Sequence, residues 1–190
     1  MTGERPQSAG PQVSEPRVSE PRVSDPRVIE QRGLYFEELE EDVVYAHRPG
    51  RTVTETDNVL FTTMTMNTQA LHLDAAWSAA QPFGQRLVNS MFTLATVVGQ
   101  SVPQLTQGTI IAQLGMTDVS FPHPLYHGDT LYTETVVTGK RLSSSRPGQG
   151  IVTLKHTGRN QHGDVVALAT RNCLMWTKEA HAAVSAESRP

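Results

Sequence analysis

The chain has 190 residues, which is enough for one domain with a buried core. Its net charge of −3 excludes the strongly basic surface that nucleic-acid binding requires. A single cysteine, Cys173, excludes an internal disulfide and a multi-cysteine metal site. No apolar run reaches membrane-spanning length, and the N-terminus lacks the apolar segment of a secretory signal. We therefore expect a soluble, cytoplasmic protein with no nucleic-acid or membrane partner.

The first 33 residues predict a disordered tail. The segments VSEPR, VSEPR and VSDPR follow one another over residues 13–27. Each proline blocks helix continuation and supplies no backbone donor to a sheet. Acidic residues and arginines number five each over residues 1–33, so this is not a polybasic arm. We expect the folded domain over residues 34–178 and a flexible C-terminus over 179–190.

Helical patterns dominate the first half of the domain. After two short extended pieces around a Pro49–Gly50 turn, Thr54 or Thr56 is placed to cap a helix that ends near Asn67. The following residues predict irregular or extended chain, and Asp74 then caps a short helical turn. Residues 86–100 are apolar on most faces, which is typical of a helix in the interior of a fold. Gly99 and Pro103 are its predicted stop signals.

The second half of the domain has the patterns of β-structure. Four strand candidates are separated by short turns: 109–121, 130–142, 150–160 and 164–176. Long strands joined by short turns favour antiparallel meander pairing, with the apolar helix packed on the sheet. The periodicity therefore predicts an α+β domain with one buried helix.

Two motifs resemble those of the MaoC-like hydratases and dehydratases. Phe61, Thr65, His72 and Asp74 stand at the spacing of the family's hydratase motif, and residues 121–131, FPHPLYHGDTL, match its second signature. The resemblance implies a hotdog fold, in which an antiparallel sheet wraps around a long central helix. It also implies an acyl-CoA thioester substrate, no cofactor beyond the coenzyme A of that substrate, and assembly as a homodimer or dimer of dimers.

The chain departs from the family at its catalytic pair. The family's aspartate is Asn67 here, and the His-Gly that opens the central helix is Asn89–Ser90. The resemblance implies that His72 is the acid–base residue, because imidazole titrates near neutral pH. Asn67 cannot accept a proton, so it is expected to position water, with capping of a helix end as the alternative.

Other residues are candidates for the remaining catalytic tasks. Asp74, or less favourably Asp57, is an alternative carboxylate, although Asp74 is better explained as a helix cap. Backbone amides at Asn89 and Ser90 would donate to the thioester oxygen as enolate charge develops, with ordinary capping of the helix start as the alternative. A hydration site of this kind predicts a hydro-lyase acting on an enoyl-CoA. The missing aspartate keeps a non-catalytic thioester-binding subunit open, and the fold also supports a thioesterase.

Three further segments, MNTQALHLD, LVNS and SRPGQGIV, are similar to those of mesaconyl- and itaconyl-CoA hydratases. This similarity implies a short, branched dicarboxylic thioester. Gln69 and Arg86 are candidate substrate contacts, with Arg86 as a partner for the free carboxylate. The candidates for the coenzyme A phosphates, or for a substrate's free carboxylate, lie by a Gly/Ser/Pro turn: Arg141, Ser145 and Arg146. A solvated turn is the alternative.

His123 and His127 stand four residues apart near a predicted strand end. Paired histidines suggest a metal, but no third ligand follows at a recognisable spacing. We therefore expect both histidines to pack at a turn and strand rim, and we expect no metal site. Asp129 is predicted to be a turn residue.

Overall fold

The computed structural model describes residues 28–187, and the side chain of residue 187 is not described. The predicted tail falls largely on residues 1–27, outside the described residues, and so do residues 188–190. Met1–Glu30 and Gln31–Pro190 form separate units, and every element below belongs to the second unit. Gly33 is already buried in this unit, and its N–H donates to the Gln107 carbonyl at 2.7 Å. The folded chain therefore begins slightly before the predicted residue 34.

A five-stranded antiparallel sheet forms the larger layer of the fold. The strands are β1 Val44–Thr52, β2 Ile110–Ser120, β3 Thr130–Leu142, β4 Gln149–Arg159 and β5 Val165–Trp176. Their order across the sheet is β1-β3-β4-β5-β2. The predicted meander therefore holds for β3, β4 and β5, whereas β2 crosses over to pair with β5. β1 is one strand with a register shift between His47 and Arg51, where two separate pieces were expected.

Five α-helices accompany the sheet in the described part of the chain. They are α1 Glu55–Met64, α2 Ala70–Leu73, α3 Ala75–Ala79, α4 Ser90–Leu105 and α5 Lys178–Glu187. Thr54 caps α1 by accepting the Asp57 N–H, and the Asp57 carboxylate accepts the Thr54 N–H at 2.9 Å. α2 replaces the irregular chain that was expected before Asp74. Asp74 caps α3 as predicted, at 2.9 Å from the Trp77 nitrogen.

The central helix, α4, packs its buried face against the sheet. Phe92, Val97 and Leu105 lie on that face and belong to the buried core. The contact is close, because a Cβ on Gly158 of β4 would lie 2.5 Å from the Val97 Cγ2 atom. α4 continues past both predicted stop signals, Gly99 and Pro103, to Leu105. Pro103 lies in the last turn, where its missing N–H removes one hydrogen bond without interrupting the helix.

The opposite face of α4 is open within this chain. Met91 is 51% exposed, and Ala95 and Gly99 are exposed as well. The prediction of a helix buried on most faces is therefore wrong for this side. The sheet covers only one side of the helix, so the apolar pattern of its other side is not explained by the fold of one chain.

A row of buried polar side chains crosses three neighbouring strands of the sheet, β1, β3 and β4. The His47 Nε2 atom lies 2.8 Å from the Thr135 hydroxyl, which lies 2.8 Å from the His156 Nδ1 atom. Burial lowers the pKa of His156 to about 3, and the nearby Arg171 and His47 act in the same direction. His156 is therefore neutral in the folded protein near neutral pH.

The C-terminal segment is helical rather than flexible up to residue 187. Glu37 accepts the Lys178 N–H at 3.1 Å, and the Tyr35 hydroxyl lies 3.1 Å from His181 Nδ1. The Trp176 ring stacks on His181 at a centroid distance of 5.7 Å. These contacts connect α5 to the beginning of the folded chain. No helix in residues 28–187 is long and apolar enough to cross a lipid bilayer.

Candidate active site

His72 lies on α2 with its side chain buried, 8% exposed. Its Nδ1 atom is 3.0 Å from the carbonyl oxygen of Leu87. A carbonyl only accepts hydrogen bonds, so Nδ1 carries the proton and Nε2 of the neutral ring keeps its lone pair. Nε2 makes no hydrogen bond to the described residues. The fold therefore presents His72 in the tautomer that accepts a proton at Nε2.

A fully buried amide, Asn58 of α1, joins the elements around His72. Its Nδ2 atom donates to the carbonyls of His72 at 3.1 Å and Leu87 at 3.4 Å. Its Oδ1 atom accepts the N–H of Asn89 at 2.8 Å. Asn58 thus holds α2, the segment that orients the imidazole and the start of α4 in one geometry. Sequence analysis missed this residue, because α1 carries several other polar residues and its spacing does not set Asn58 apart.

The start of α4 offers one free backbone donor of the two that were predicted. The Asn89 N–H is occupied by Asn58, so its predicted role as an oxyanion donor is wrong. The Asn89 side chain instead caps the helix by accepting the Met91 N–H at 2.9 Å. Ser90 is the first helical residue, and its N–H has no acceptor among the described residues. The helix dipole adds positive potential at this N–H.

Ser90 opens onto a cavity of about 190 Å³. The apolar side chains that line it are Phe83, Leu87, Val88, Phe121, Leu125 and Val166, and Ser90, Thr93 and His123 add polar lining. Leu87 connects His72 with this cavity, because its carbonyl orients His72 while its side chain lines the cavity. The free donor therefore lies at the edge of a cavity with both apolar and polar lining.

Asn67 acts as a cap rather than as an open polar group. Its Oδ1 atom accepts the N–H of Gln69 at 3.1 Å, at the start of α2. The capping alternative therefore describes its oxygen, which keeps a second lone pair that can accept from water. Gln69 is exposed, and its carbonyl accepts the His72 N–H at 3.0 Å. Its side chain makes no hydrogen bond to the described residues.

Arg86 and His127 lie beside His72. Leu87 and Tyr126 form an antiparallel bridge, which makes Arg86 and His127 cross-strand neighbours. Arg86 forms an ion pair with Glu55, and the hydrogen bond from Arg86 lowers the pKa of that carboxyl. Burial, followed by the charge of Arg86, lowers the pKa of His127; Glu55 opposes this shift, and a proton on His72 would add to it. His127 lies in a turn, as expected, and Arg86 and Glu55 are charged groups around it.

The alternative carboxylates are already engaged. Asp74 caps α3, and Asp57 accepts hydrogen bonds from Thr54 and pairs with Arg51. Burial raises the pKa of Asp57, but the Thr54 hydrogen bonds and the Arg51 charge outweigh it, so the net shift is downward. Both carboxylates therefore serve helix starts.

The predicted coenzyme A contacts are not brought to His72 within one chain. Arg141, Ser145 and Arg146 are exposed. β3 begins at Thr130, just after the turn that contains His127. Arg141 lies near the other end of this strand, roughly 35 Å further along, since a strand rises about 3.3 Å per residue. This position does not support their predicted role at the site of the same chain.

The remaining turn residues have structural partners. His123 is exposed and donates from Nδ1 to the Val165 carbonyl at 3.1 Å. Asp129 is a turn residue as predicted, with its carboxylate accepting the Tyr126 N–H at 2.8 Å. Within residues 28–187, no three His, Cys, Asp or Glu side chains are grouped to hold a metal ion.

An antiparallel sheet wrapped around a central helix, with a histidine beside the start of that helix, defines an α+β protein of the hotdog class. A Mycobacterium tuberculosis protein described as having a double hotdog fold superposes with a TM-score of 0.70 at 27% identity, covering 79% of this chain and 46% of that one. The chain belongs to the MaoC like domain family, whose model matches residues 38–160. The predicted family and fold are thus confirmed.

Two characterised relatives give the family match more detail. A mesaconyl-CoA hydratase of Haloarcula marismortui is 30% identical over 154 residues, covering 80% of this chain and 42% of the relative. A beta-methylmalyl-CoA dehydratase of Chloroflexus aurantiacus is 31% identical over 141 residues, covering 70% of this chain and 38% of the relative. The chain thus spans about two-fifths of the length of these relatives.

Proposed function

We propose that the chain is a hydro-lyase that adds water to, or removes it from, a short-chain enoyl-CoA thioester. The observation that carries this proposal is the pairing of two groups near one cavity. Leu87 fixes the imidazole of His72 with Nε2 open, and the Ser90 N–H is free at the cavity edge. Relatives named as a CoA hydratase and a CoA dehydratase support the same reaction class.

The proposed reaction uses His72 twice. The oxygen of water bonds to the β-carbon while His72 Nε2 takes one proton from that water. The electron pair of the double bond moves toward the thioester, and the Ser90 N–H stabilises the enolate oxygen. The imidazolium then returns its proton to the α-carbon, so the residue ends in its starting state. Dehydration follows the same steps in reverse.

For the substrate we propose a branched dicarboxylic thioester such as itaconyl- or mesaconyl-CoA. Arg86 is only partly exposed, its side chain at 16%, and Glu55 occupies one of its nitrogens. The remaining N–H groups suit a second carboxylate. Replacing Arg86 by Met is expected to raise KM for itaconyl-CoA about 10- to 100-fold, the range expected for a hydrogen bond to a charged group. Crotonyl-CoA has no free carboxylate, so its KM is the control and is expected to stay within about 3-fold.

The proposal requires no cofactor beyond the coenzyme A of the substrate. We also propose a homodimer or dimer of dimers, since the apolar side of α4 at Met91, Ala95 and Gly99 is open in a single chain. Sedimentation at a single-chain mass would contradict this assembly. The cytoplasmic location stays a prediction.

A panel of thioesters tests the activity. The purified chain is incubated with crotonyl-, mesaconyl- and itaconyl-CoA, while loss of the enoyl absorbance and release of free thiol are followed together. Loss of absorbance without thiol release is the expected result. Thiol release would indicate a thioesterase, and binding without turnover would indicate a non-catalytic subunit.

The residue assignment is tested with His72→Ala. This variant is expected to lose hydration and to keep the circular-dichroism spectrum of the folded protein. His162→Ala is the matched control, because His162 is an exposed turn residue between β4 and β5. Wild-type turnover by His72→Ala would refute the mechanism.

A further inference from the structure

We propose that His127 is a second catalytic residue, which accepts a hydrogen bond from the attacking water. The inference rests on the proposed hydration reaction. It addresses a gap in that reaction, because a water molecule that gives one proton to His72 still needs a second contact to orient it toward the β-carbon.

Backbone contacts link His127 to the segment that orients His72. The preceding residue, Tyr126, bridges Leu87, the residue whose carbonyl orients the His72 ring. The next residue, Gly128, donates its N–H to the Val53 carbonyl at 2.8 Å. His127 thus stands between two backbone anchors, and one of them is shared with His72.

The imidazole of His127 has no protein partner. Its Nε2 atom is buried and makes no hydrogen bond, and no hydrogen bond joins its Nδ1 atom to the described residues. An unpaired buried polar atom costs about 1–3 kcal/mol, so such atoms persist where a ligand or water satisfies them. A water molecule bound for reaction would supply the missing partner.

The charged surroundings favour the neutral ring as a hydrogen-bond acceptor. Burial lowers the pKa of His127 most, and the charge of Arg86, from the paired segment, acts in the same direction; His72, from α2, adds to this when it is protonated. Glu55 of α1 opposes them, but it is ion-paired with Arg86. A neutral imidazole keeps one lone pair, which is what an orienting acceptor requires.

In this arrangement the water donates one hydrogen to His72 Nε2 and the other to the unprotonated nitrogen of His127. Its lone pair then faces the β-carbon. The first proton moves to His72 as the carbon–oxygen bond forms and is later delivered to the α-carbon. The second hydrogen stays on the new hydroxyl group, and His127 is unchanged at the end.

The test compares His127→Leu with His127→Gln in the full chain, using itaconyl-, mesaconyl- and crotonyl-CoA. Leu removes the acceptor, and kcat is expected to fall about 100-fold with KM within about 3-fold, as for a mispositioned reactant. Gln offers an amide oxygen and is expected to recover part of kcat. In the wild-type protein, kcat/KM is expected to fall at low pH as His127 takes up a proton. In His127→Gln this fall is expected to be smaller, because an amide does not titrate. His162→Gln is the control for an exposed histidine in a neighbouring turn.

Several outcomes separate the possibilities. A His127→Leu variant with wild-type kcat would overturn the inference alone. Equal loss of kcat in the Leu and Gln variants, with an unchanged acid limb, would mean that His127 is structural and would also overturn it. A wild-type protein inert toward every thioester would overturn the proposed function, and the inference with it.

Discussion

Ser90→Pro removes the proposed oxyanion donor without removing any hydrogen bond of the fold. Ser90 is the first residue of α4, where proline is favoured because the N–H has no partner inside the helix. The preceding residue must be extended, and Asn89 has φ −58° and ψ 125°, which proline tolerates. The Asn89 cap on Met91 does not involve the Ser90 nitrogen.

The expected loss of activity follows from the strength of such donors. Removing one preorganised oxyanion donor costs about 100- to 1000-fold in kcat, or about 2.7–4 kcal/mol of transition-state stabilisation. We expect a loss in this range for Ser90→Pro. Ser90→Ala keeps the backbone N–H and is the matched control, so its kcat is expected to stay within about 3-fold of wild type.

The assay is steady-state hydration of itaconyl- and crotonyl-CoA, with thermal unfolding measured in parallel. We expect the melting temperature of Ser90→Pro to stay within about 3 °C of wild type, since no hydrogen bond of the fold is lost. Wild-type kcat in a folded Ser90→Pro protein would refute the assignment of the thioester oxygen to the start of α4.

Three predictions concern stability. Asn58→Ala leaves the buried Asn89 N–H and His72 carbonyl without Asn58, at about 1–3 kcal/mol each, so we expect about 2–6 kcal/mol of destabilisation by urea unfolding. Thr56→Ala, an exposed change on the same helix, is expected to cost less than about 0.5 kcal/mol. Gly158→Ala is expected to destabilise the protein by about 1–3 kcal/mol because its Cβ would meet Val97. Gly139→Ala, which has open space at its Cβ, is expected to cost much less. His156 has a folded pKa of about 3 against an ordinary value of 6.5, so the unfolded chain binds its proton more readily. Stability is therefore present above about pH 6.5 and is lost as pH falls toward 3, by up to about 1.4 kcal/mol per pH unit for this group, and His156→Gln is expected to show a shallower slope.

Local patterns in the sequence were sufficient for the elements and for part of the site. Alternating side chains and turn residues placed β3, β4 and β5 within about one residue of their observed ends. The caps at Thr54 and Asp74 were readable because a capping side chain and its N–H lie within three residues of each other. The spacing of the hydratase motif singled out His72, since the motif is contiguous in sequence.

Contacts between distant segments were decided only by the tertiary structure. Asn58 reaches a carbonyl 14 residues away and an N–H 31 residues away, and that second contact removes Asn89 as an oxyanion donor. His127 meets Arg86 only because two segments pair across the fold. Hydrogen bonds of this kind depend on how helices and loops cross, which residue spacing does not encode. The sequence by itself therefore determined which residue types and local elements are present, including the histidine. The packing of α1, α2 and the start of α4 decided which lone pair and which N–H remain free for chemistry.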